Sequence, residues 1–424
     1  MEEKRAEKNP MINVFGVRDF RLLLAGAATS LLGDQLVLIA TPWLVLKMTG
    51  DPLALGIIMA LEGIPRALFM LLGGAVTDRF SPRLIMLLSD IIRFAVISLM
   101  ALALFMGSVQ IWMLYAFALA FGLVAGFAVP AQSSIIPLIV QEKDLQAGNS
   151  VIMGITQLAG FVGPTAAGIL IGTSSTSMKG IFLAFAVDAV TFAVSALCLW
   201  LIKTGKVKEA PTEKENILKS IKTGIAYLWN DKPMRVVFFI VSAVNFFFVG
   251  PFLVGVPVLA DTRLKEGAVA FGILMSAVSG GNLAGFILAG SLPKPKAAFM
   301  KKFLVAVFAG FGVFTILIGF INSTWADAIL LALLGIGNGY IAINFFTWIQ
   351  KKTPPDMLGR VMSILIFANT GLIPVAQAIS GAMIKIDLTA FFIVCGSVII
   401  LVSAAGAFLP EVDRFAEGLT GKED

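Results

Sequence analysis

Apolar stretches long enough to cross a membrane recur along almost the whole chain, separated by short polar or Gly- and Pro-containing breaks. A helix needs about 20 apolar residues to cross the hydrocarbon core of a bilayer. The pattern predicts twelve such helices, which lie at 19–47, 52–76, 84–106, 109–130, 145–172, 179–202, 235–260, 267–291, 301–321, 325–350, 358–384 and 388–409. We therefore expect an all-α polytopic membrane protein with twelve transmembrane helices.

The longest polar stretch lies in the middle of the chain and divides the predicted helices into two groups of six. A glycine pair at Gly122 and Gly126 recurs 213 positions later, at Gly335 and Gly339, which indicates an internal repeat. In such repeats the substrate path is expected between the halves, near the midplane. The predicted parts are an N-terminal six-helix bundle at 1–202, a cytoplasmic linker with an amphipathic helix at 203–234, and a C-terminal six-helix bundle with a short cytoplasmic tail at 235–424.

Composition and charge exclude an ordinary soluble enzyme. Of the 424 residues 58% are apolar and 14% are charged, whereas about a quarter of a soluble domain is charged. The net charge is +6, and 25 of the 32 Lys and Arg residues lie in the two tails and the even-numbered loops, against five in the odd-numbered loops. Because cytoplasmic loops carry the excess of Lys and Arg, we expect a multi-pass protein of the cytoplasmic (plasma) membrane with both termini in the cytoplasm. The basic charge is thus explained without nucleic acid.

The chain lacks the residues that several other chemistries need. It has no histidine, and its two cysteines, Cys198 and Cys395, lie far apart in sequence, so no metal site is expected. No nucleophile–base arrangement and no GxxxxGK[ST] loop is visible, which argues against an enzyme and against an ATP-driven pump. We expect a monomer without a cofactor that uses the proton gradient as its energy source, with carboxylates as the proton carriers.

The loop after the second predicted helix combines glycine, aspartate and arginine. It reads GAVTDRFSPR from Gly74 to Arg83, with Asp78 and Arg79 at its centre. This loop resembles the signature loop of the major facilitator superfamily. The resemblance implies the major facilitator fold of two six-helix pseudo-repeats, with these four residues as a latch of the cytoplasmic gate. A basic turn that only sets topology would explain the arginines but not the spacing of Gly and Asp.

Two longer segments read GFAVPAQSSIIPLIVQEKDLQAGNSVIMGITQLAGFVGPTAAG at 126–168 and DAVTF at 188–192. They resemble the branch of this superfamily that contains the macrolide-efflux proteins and the enterobactin exporters, which implies export of a small molecule. Four residues of the first segment are also similar to a fifth-helix motif of antiporters, in which they let the helix kink or pack closely. These residues are Gly160, Gly163, Pro164 and Gly168.

Six charged residues lie deep inside the predicted helices, away from their ends, and all six are in the N-terminal half. A charge deep in a membrane helix costs about 2.5–3.5 kcal/mol on insertion scales, so each of them needs a physical reason. The corresponding helices of the C-terminal half carry side-chain amides instead. The six charged residues are Asp34, Glu62, Arg66, Asp90, Arg93 and Asp188.

Asp34 is the strongest candidate for proton coupling. No basic residue lies within one helical turn of it, and Gly33 and Gln35 flank it in an otherwise apolar run. The first helix of the major facilitator fold lines the central cavity, so a carboxylate there can load and release a proton as solvent access alternates. The alternative is a structural role, in which Asp34 bonds to a hydroxyl group or to Arg66 on the next helix.

The other charges allow pairing along one helix. Glu62 and Arg66 are four residues apart, and Asp90 and Arg93 are three apart, so each pair shares a helix face. For Glu62 and Arg66, close to the midplane, proton coupling or substrate binding stands beside simple pairing. For Asp90 and Arg93 we expect structural pairing, and we also expect a structural role for Asp188, which matches the branch pattern.

Amide and aromatic side chains of the seventh and tenth helices are candidates for the wall of a substrate pocket. Aromatic residues of membrane helices also commonly face lipid or pack within the bundle, so that reading stays open. The candidate wall residues are Asn245, Phe246, Asn338, Asn344 and Phe345.

Together these features predict a proton-coupled secondary transporter that exports a hydrophobic or amphiphilic small molecule, of the drug or siderophore type, by alternating access. One alternative is a lysophospholipid transporter of the same fold, which the region around Asp34 also resembles. A second alternative is an uncoupled facilitator. A divalent-metal exporter is disfavoured because the chain has no histidine.

Overall fold

The computed structural model describes residues 10–77, 80–203, 217–292, 295–354, 357, 361–362, 364–365 and 370–420. The packing of the chain defines two compact units, which are Met1–Met48 with Ile64–Thr212, and Thr49–Gly63 with Glu213–Asp424. By this packing, residues 49–63 belong to the second unit, and the division into two six-helix bundles stays a prediction.

The first unit is built from long helices joined by short loops. A short helix, α1, precedes the first long one, and the third helix, α3, begins with residues of the second unit. The helices are α1 (Pro10–Gly16), α2 (Arg18–Thr49), α3 (Pro52–Thr77), α4 (Pro82–Phe105), α5 (Ile111–Ile139), α6 (Leu145–Gly172) and α7 (Ser177–Leu201).

The second unit has the same general construction. It adds an amphipathic helix before its first long helix and another, α16, after its last. A π-helical segment at Asn245–Val249 joins α9 to α10 without a break. The helices are α8 (Ile217–Asn230), α9 (Lys232–Val244), α10 (Gly250–Thr262), α11 (Ala268–Ser291), α12 (Ala297–Ile318), α13 (Thr324–Lys352), α14 (Ile373–Ile384), α15 (Leu388–Ala407) and α16 (Pro410–Thr420).

Eleven helical segments of the described chain are long and apolar enough to cross a membrane, with α9 and α10 counted as one, and α14 is a shorter apolar helix. The predicted all-α polytopic fold is therefore confirmed. One predicted boundary is wrong, since α5 continues to Ile139 through Pro130 and Pro137, beyond the end predicted at residue 130. Proline is tolerated inside membrane helices because neighbouring groups satisfy the backbone positions that it frees.

Helices α11 and α13 pack backbone against backbone. A Cβ atom built on Gly281 would lie 2.9 Å from the Cα of Gly335, and one built on Gly285 would lie 3.0 Å from the Cα of Gly339. Small residues allow this close approach, which dispersion and polar contacts then stabilise within a membrane. In the first unit, Gly126 of α5 makes a similar close approach to α3, where its added Cβ would lie 3.1 Å from the backbone of Phe69.

The first turns of α3 pack on α14 within the second unit. A Cβ built on Gly56 would lie 3.0 Å from the Cα of Gly381, and Lys385 forms an ion pair of 3.0 Å with Asp51. Slight burial raises the pKa of Asp51, but hydrogen bonds from Lys385 and from the Leu53 amide outweigh it and hold the pKa below its ordinary value of 3.8. The stabilisation from this pair is therefore complete above that pH and is lost as the pH falls through the lowered pKa.

We expect Gly285→Ala to destabilise the protein by about 1–3 kcal/mol, because the added methyl group meets the backbone of α13 and forces the two helices apart. The measurement is the midpoint of thermal unfolding of the purified protein. Gly290→Ala is the matched control on the same helix, since its Cβ meets nothing within 4 Å, and it should leave the midpoint unchanged or raise it. Equal losses in both variants would contradict the packing described.

Candidate functional site

Helices α2, α4 and α7 bring four charged side chains together inside the first unit. Asp34, Asp90 and Arg93 line one cavity of about 60 Å³. Asp188 interacts electrostatically with Asp34 and Arg93, and Asp90 interacts with the same two residues. We call these four residues the carboxylate cluster. The structure places Asp34 beside the other two aspartates.

The two aspartates on α4 and α7 are buried and bonded to hydroxyl groups. The Ser195 hydroxyl donates to Oδ2 of Asp90 over 2.6 Å. Asp188 has no exposed surface, and its Oδ1 accepts from the Thr191 hydroxyl at 3.0 Å. Within the described chain Oδ2 of Asp188 has no hydrogen-bond partner. A buried polar atom without a hydrogen-bond partner is unfavourable, so the burial of Asp188 lowers the free energy of unfolding of the bundle.

Arg93 is held by two aromatic rings. Its guanidinium carbon lies 5.4 Å from the ring centre of Phe121 and 5.3 Å from that of Phe192. Cations are attracted to aromatic faces at this distance. Asp90 interacts electrostatically with Arg93 on the same helix, and it also accepts a hydrogen bond from the Ser195 hydroxyl of α7.

Two glycines of α2 allow this helix to approach α7. A Cβ on Gly33 would clash with the carboxylate of Asp188 and the hydroxyl of Thr191, and a Cβ on Gly26 would lie 3.2 Å from Oγ of Ser195. Since the two glycines are about two helical turns apart, they lie on one face of α2. This spacing is the sequence signal that could have indicated which helix packs against Asp34.

The remaining predicted coupling residues lie elsewhere. Glu62 and Arg66 are one turn apart in α3, on either side of Pro65, and neither lines the cavity of the carboxylate cluster. Glu62 is half-buried and Arg66 is exposed. Their role in coupling or substrate binding stays a prediction.

The predicted gate latch is partly described. Gly74 lies within α3, whereas Asp78 and Arg79 lie outside the described residues. Arg83 stands at the start of α4, where its Nε donates to the Leu199 carbonyl at 2.7 Å and its Nη2 donates to the next carbonyl at 2.6 Å. A cation at a helix C-terminus stabilises the exposed carbonyls, so Arg83 ties α4 to the end of α7.

The predicted kink motif lies within one continuous helix, α6, from Leu145 to Gly172. Gly163 meets α2, since its added Cβ would lie 2.5 Å from the Cβ of Gln35. Pro164 and Gly168 are buried, and Gly160 is half-buried. Gly163 therefore acts by allowing α6 and α2 to pack closely.

The second unit contains a larger cavity, of about 270 Å³, that we call the amide cavity. Asn245, Asn338 and Phe345 line it, as do Asn282 and Phe415, which were not among the candidate wall residues. Two candidates do not line it. The ring of Phe246 packs on that of its neighbour Phe247, with 5.1 Å between the ring centres. The Asn344 amide donates a hydrogen bond of 2.9 Å to the Tyr340 carbonyl.

The architecture and these buried polar sites define a polytopic helical membrane protein of the transporter class. The family model described as Major Facilitator Superfamily matches residues 23–376. The chain belongs to this superfamily.

Curated relatives cover almost the whole chain at low identity. Macrolide efflux protein A of Streptococcus pyogenes is 20% identical over 93% of this chain and 96% of its own length. The multidrug efflux pump Tap of Mycolicibacterium fortuitum is 23% identical over 92% of this chain and 95% of its own length. The predicted resemblance to macrolide-efflux proteins is thus confirmed.

Solved structures share the fold. A POT family transporter, in complex with 5-aminolevulinic acid, superposes with a TM-score of 0.70 at 15% identity, covering 94% of this chain and 96% of that one. The nucleoside transporter NupG gives a TM-score of 0.65 at 13% identity, covering 92% of this chain and 98% of that one. At these identities the likeness shows the fold alone.

We expect Arg93→Gln to destabilise the protein by about 3–5 kcal/mol, because it leaves buried carboxylates without their cation. Adding Asp188→Asn should recover part of this loss, since it removes one of those charges. The measurement is the thermal unfolding midpoint of the single and double variants.

The control for this rescue is Arg93→Gln combined with Asp327→Asn. Asp327 is a fully buried aspartate of the second unit, so its replacement removes a buried carboxylate without touching the cluster. It should give no recovery beyond the change in midpoint that Asp327→Asn causes in the unaltered protein, where both of its oxygens lack a described hydrogen-bond partner. Equal recovery from both second substitutions would show that the four charges do not act as one cluster.

Proposed function

We propose that this protein is a proton-coupled secondary transporter that exports a hydrophobic or amphiphilic small molecule across the cytoplasmic membrane by alternating access. The observation that carries the proposal is the carboxylate cluster, in which Asp90 and Asp188 interact with one guanidinium group and with Asp34 inside an apolar bundle. The printed names of the two efflux relatives support the direction of transport. The excess of basic residues in the even-numbered loops supports cytoplasmic termini.

The charge balance of the cluster favours proton binding. Asp90 and Asp188 both interact with Arg93, so with both carboxylates ionised this cation neutralises only one of the two. Buried charges that lack a partner cost several kcal/mol each, and a bound proton removes one of them. The hydroxyls of Ser195 and Thr191 donate to the ionised carboxylates and can accept from a protonated one, so both states can be hydrogen-bonded.

A proton site drives transport only if its proton affinity differs between the two access states. The cluster spans three helices, so a small separation of α2 from α7 changes the distances among its charges. Loading of the proton from outside and its release inside would then supply the free energy that moves the substrate outward. The gradient is the energy source of this cycle, and no bound cofactor takes part.

The decisive test is accumulation in proteoliposomes with an acidic lumen. The probes are uncharged antibiotics, including chloramphenicol, because an uncharged molecule does not follow a pH gradient by itself. We expect accumulation against the substrate gradient in the unaltered protein. In Asp188→Asn we expect this accumulation to be lost while exchange of labelled for unlabelled substrate continues, since exchange needs no net proton movement.

Asp327→Asn is the matched control, because it replaces a buried aspartate outside the cluster. It should keep gradient-driven accumulation. Equilibration of the substrate without accumulation would identify a facilitator, and accumulation that proceeds equally without a pH gradient would indicate another energy source. Normal accumulation by Asp188→Asn would remove that residue from the coupling site.

A further inference from the structure

We propose that the amide cavity of the second unit binds the uncharged, hydrogen-bonding part of the transported molecule, and that it selects neutral amphiphiles over cations. This inference rests on the proposed transport function and adds the substrate class. The cavity, at about 270 Å³, is close to the lower end of the range of small-molecule sites, roughly 300–1,000 Å³.

None of the described residues that line the cavity is charged. Its described lining residues are apolar or aromatic apart from three asparagines, Asn245, Asn282 and Asn338. A cation placed there would lose its hydration without gaining a counter-ion, which is unfavourable. A neutral molecule with amide or hydroxyl groups would find donors and acceptors at the amides and apolar contacts at the rings.

The asparagine pair at the cavity wall is held in place by the backbone. The Nδ2 of Asn338 donates to the Oδ1 of Asn282 over 3.0 Å. Each amide group has two donor hydrogens and one acceptor oxygen, so this bond leaves donors on both residues and the Asn338 oxygen for a ligand. The close glycine contacts between α11 and α13 fix the separation of the pair, because Gly339 lies against the backbone of Asn282.

The π-helical segment turns further polar and aromatic groups into the same space. Asn245, Phe248 and Val249 all lie in or at the end of this segment and line the cavity. The Asn245 amide donates to the Val241 carbonyl at 2.9 Å, which fixes its orientation. Such π segments are rare and are found frequently at functional sites in helical proteins.

Phe415 of α16 forms another part of the wall. Its ring centre lies 5.9 Å from that of Phe345 and 5.0 Å from that of Trp348, and an ion pair of 2.6 Å between Lys301 and Asp413 anchors α16. The side chain also lines a second, smaller cavity of about 30 Å³. A short helix beyond the last long one therefore contributes directly to the proposed site.

The test is equilibrium binding of radiolabelled chloramphenicol to the full-length protein in lipid nanodiscs, without any pH gradient. Chloramphenicol is an uncharged aromatic amide with two hydroxyl groups, and tetraphenylphosphonium is the cationic competitor. We expect saturable chloramphenicol binding that tetraphenylphosphonium does not displace. Asn338→Leu should lower the affinity about tenfold, as expected for the loss of one or two hydrogen bonds.

Asn344→Leu is the matched control, because Asn344 lies on the same helix but does not line the cavity. It should bind chloramphenicol as the unaltered protein does. A second variant, Ala342→Trp, fills the cavity with a large side chain and should abolish binding. The unfolding midpoint of each variant shows whether it has folded.

Three results would overturn the proposal: no saturable chloramphenicol binding, unchanged affinity in folded Asn338→Leu and Ala342→Trp, or displacement by tetraphenylphosphonium. The binding measurement does not depend on coupling. Binding with these properties, together with failure of gradient-driven accumulation, would leave the site standing and refute proton-coupled export. Gradient-driven accumulation with unchanged binding in both variants would refute the proposed binding site and leave proton-coupled export standing.

Discussion

A carboxylate inside an apolar helical bundle is stable only where the protein itself supplies what water would have supplied, and this constraint shapes the first unit. Gly33 allows α2 to reach α7, so that Asp34 and Asp188 come close to each other. Hydroxyl groups from α7 and the cation Arg93 then offset part of the cost of the buried charges. Removing Arg93 would leave these carboxylates with an excess of negative charge, which a bound proton would reduce.

Around the amide cavity, the second unit places side-chain amides where the first unit has charged groups. Glycines bring α11 and α13 together, and the Asn338 amide donates one hydrogen bond to Asn282 across the contact. The resulting cavity is polar enough to orient a ligand and too apolar to hold a cation without a partner. In our proposal the proton and the substrate therefore use different residues, so their coupling must pass through a change of conformation rather than through competition for one carboxylate.

The sequence predicts the helices well because length and apolar character suffice to define a membrane span. The boundary at Pro130 was wrong because proline ends helices in water but not reliably in lipid. The charged residues of the cluster were also found from the sequence, because a charged residue is conspicuous in an apolar run. Their partners were not, because contacts such as that of Asp90 with Ser195 depend on how separate helices pack, which one-dimensional periodicity does not contain.

The central claim is that the carboxylate cluster holds a proton at neutral pH, and infrared spectroscopy of the purified protein tests it most directly. The measurement is best made in an Asp327→Asn background, which removes a buried carboxylate outside the cluster. The account predicts a C=O stretching band of a protonated carboxyl group at neutral pH that disappears when Asp34, Asp90 or Asp188 is replaced by asparagine. A spectrum in which every carboxyl group is ionised at neutral pH would contradict it.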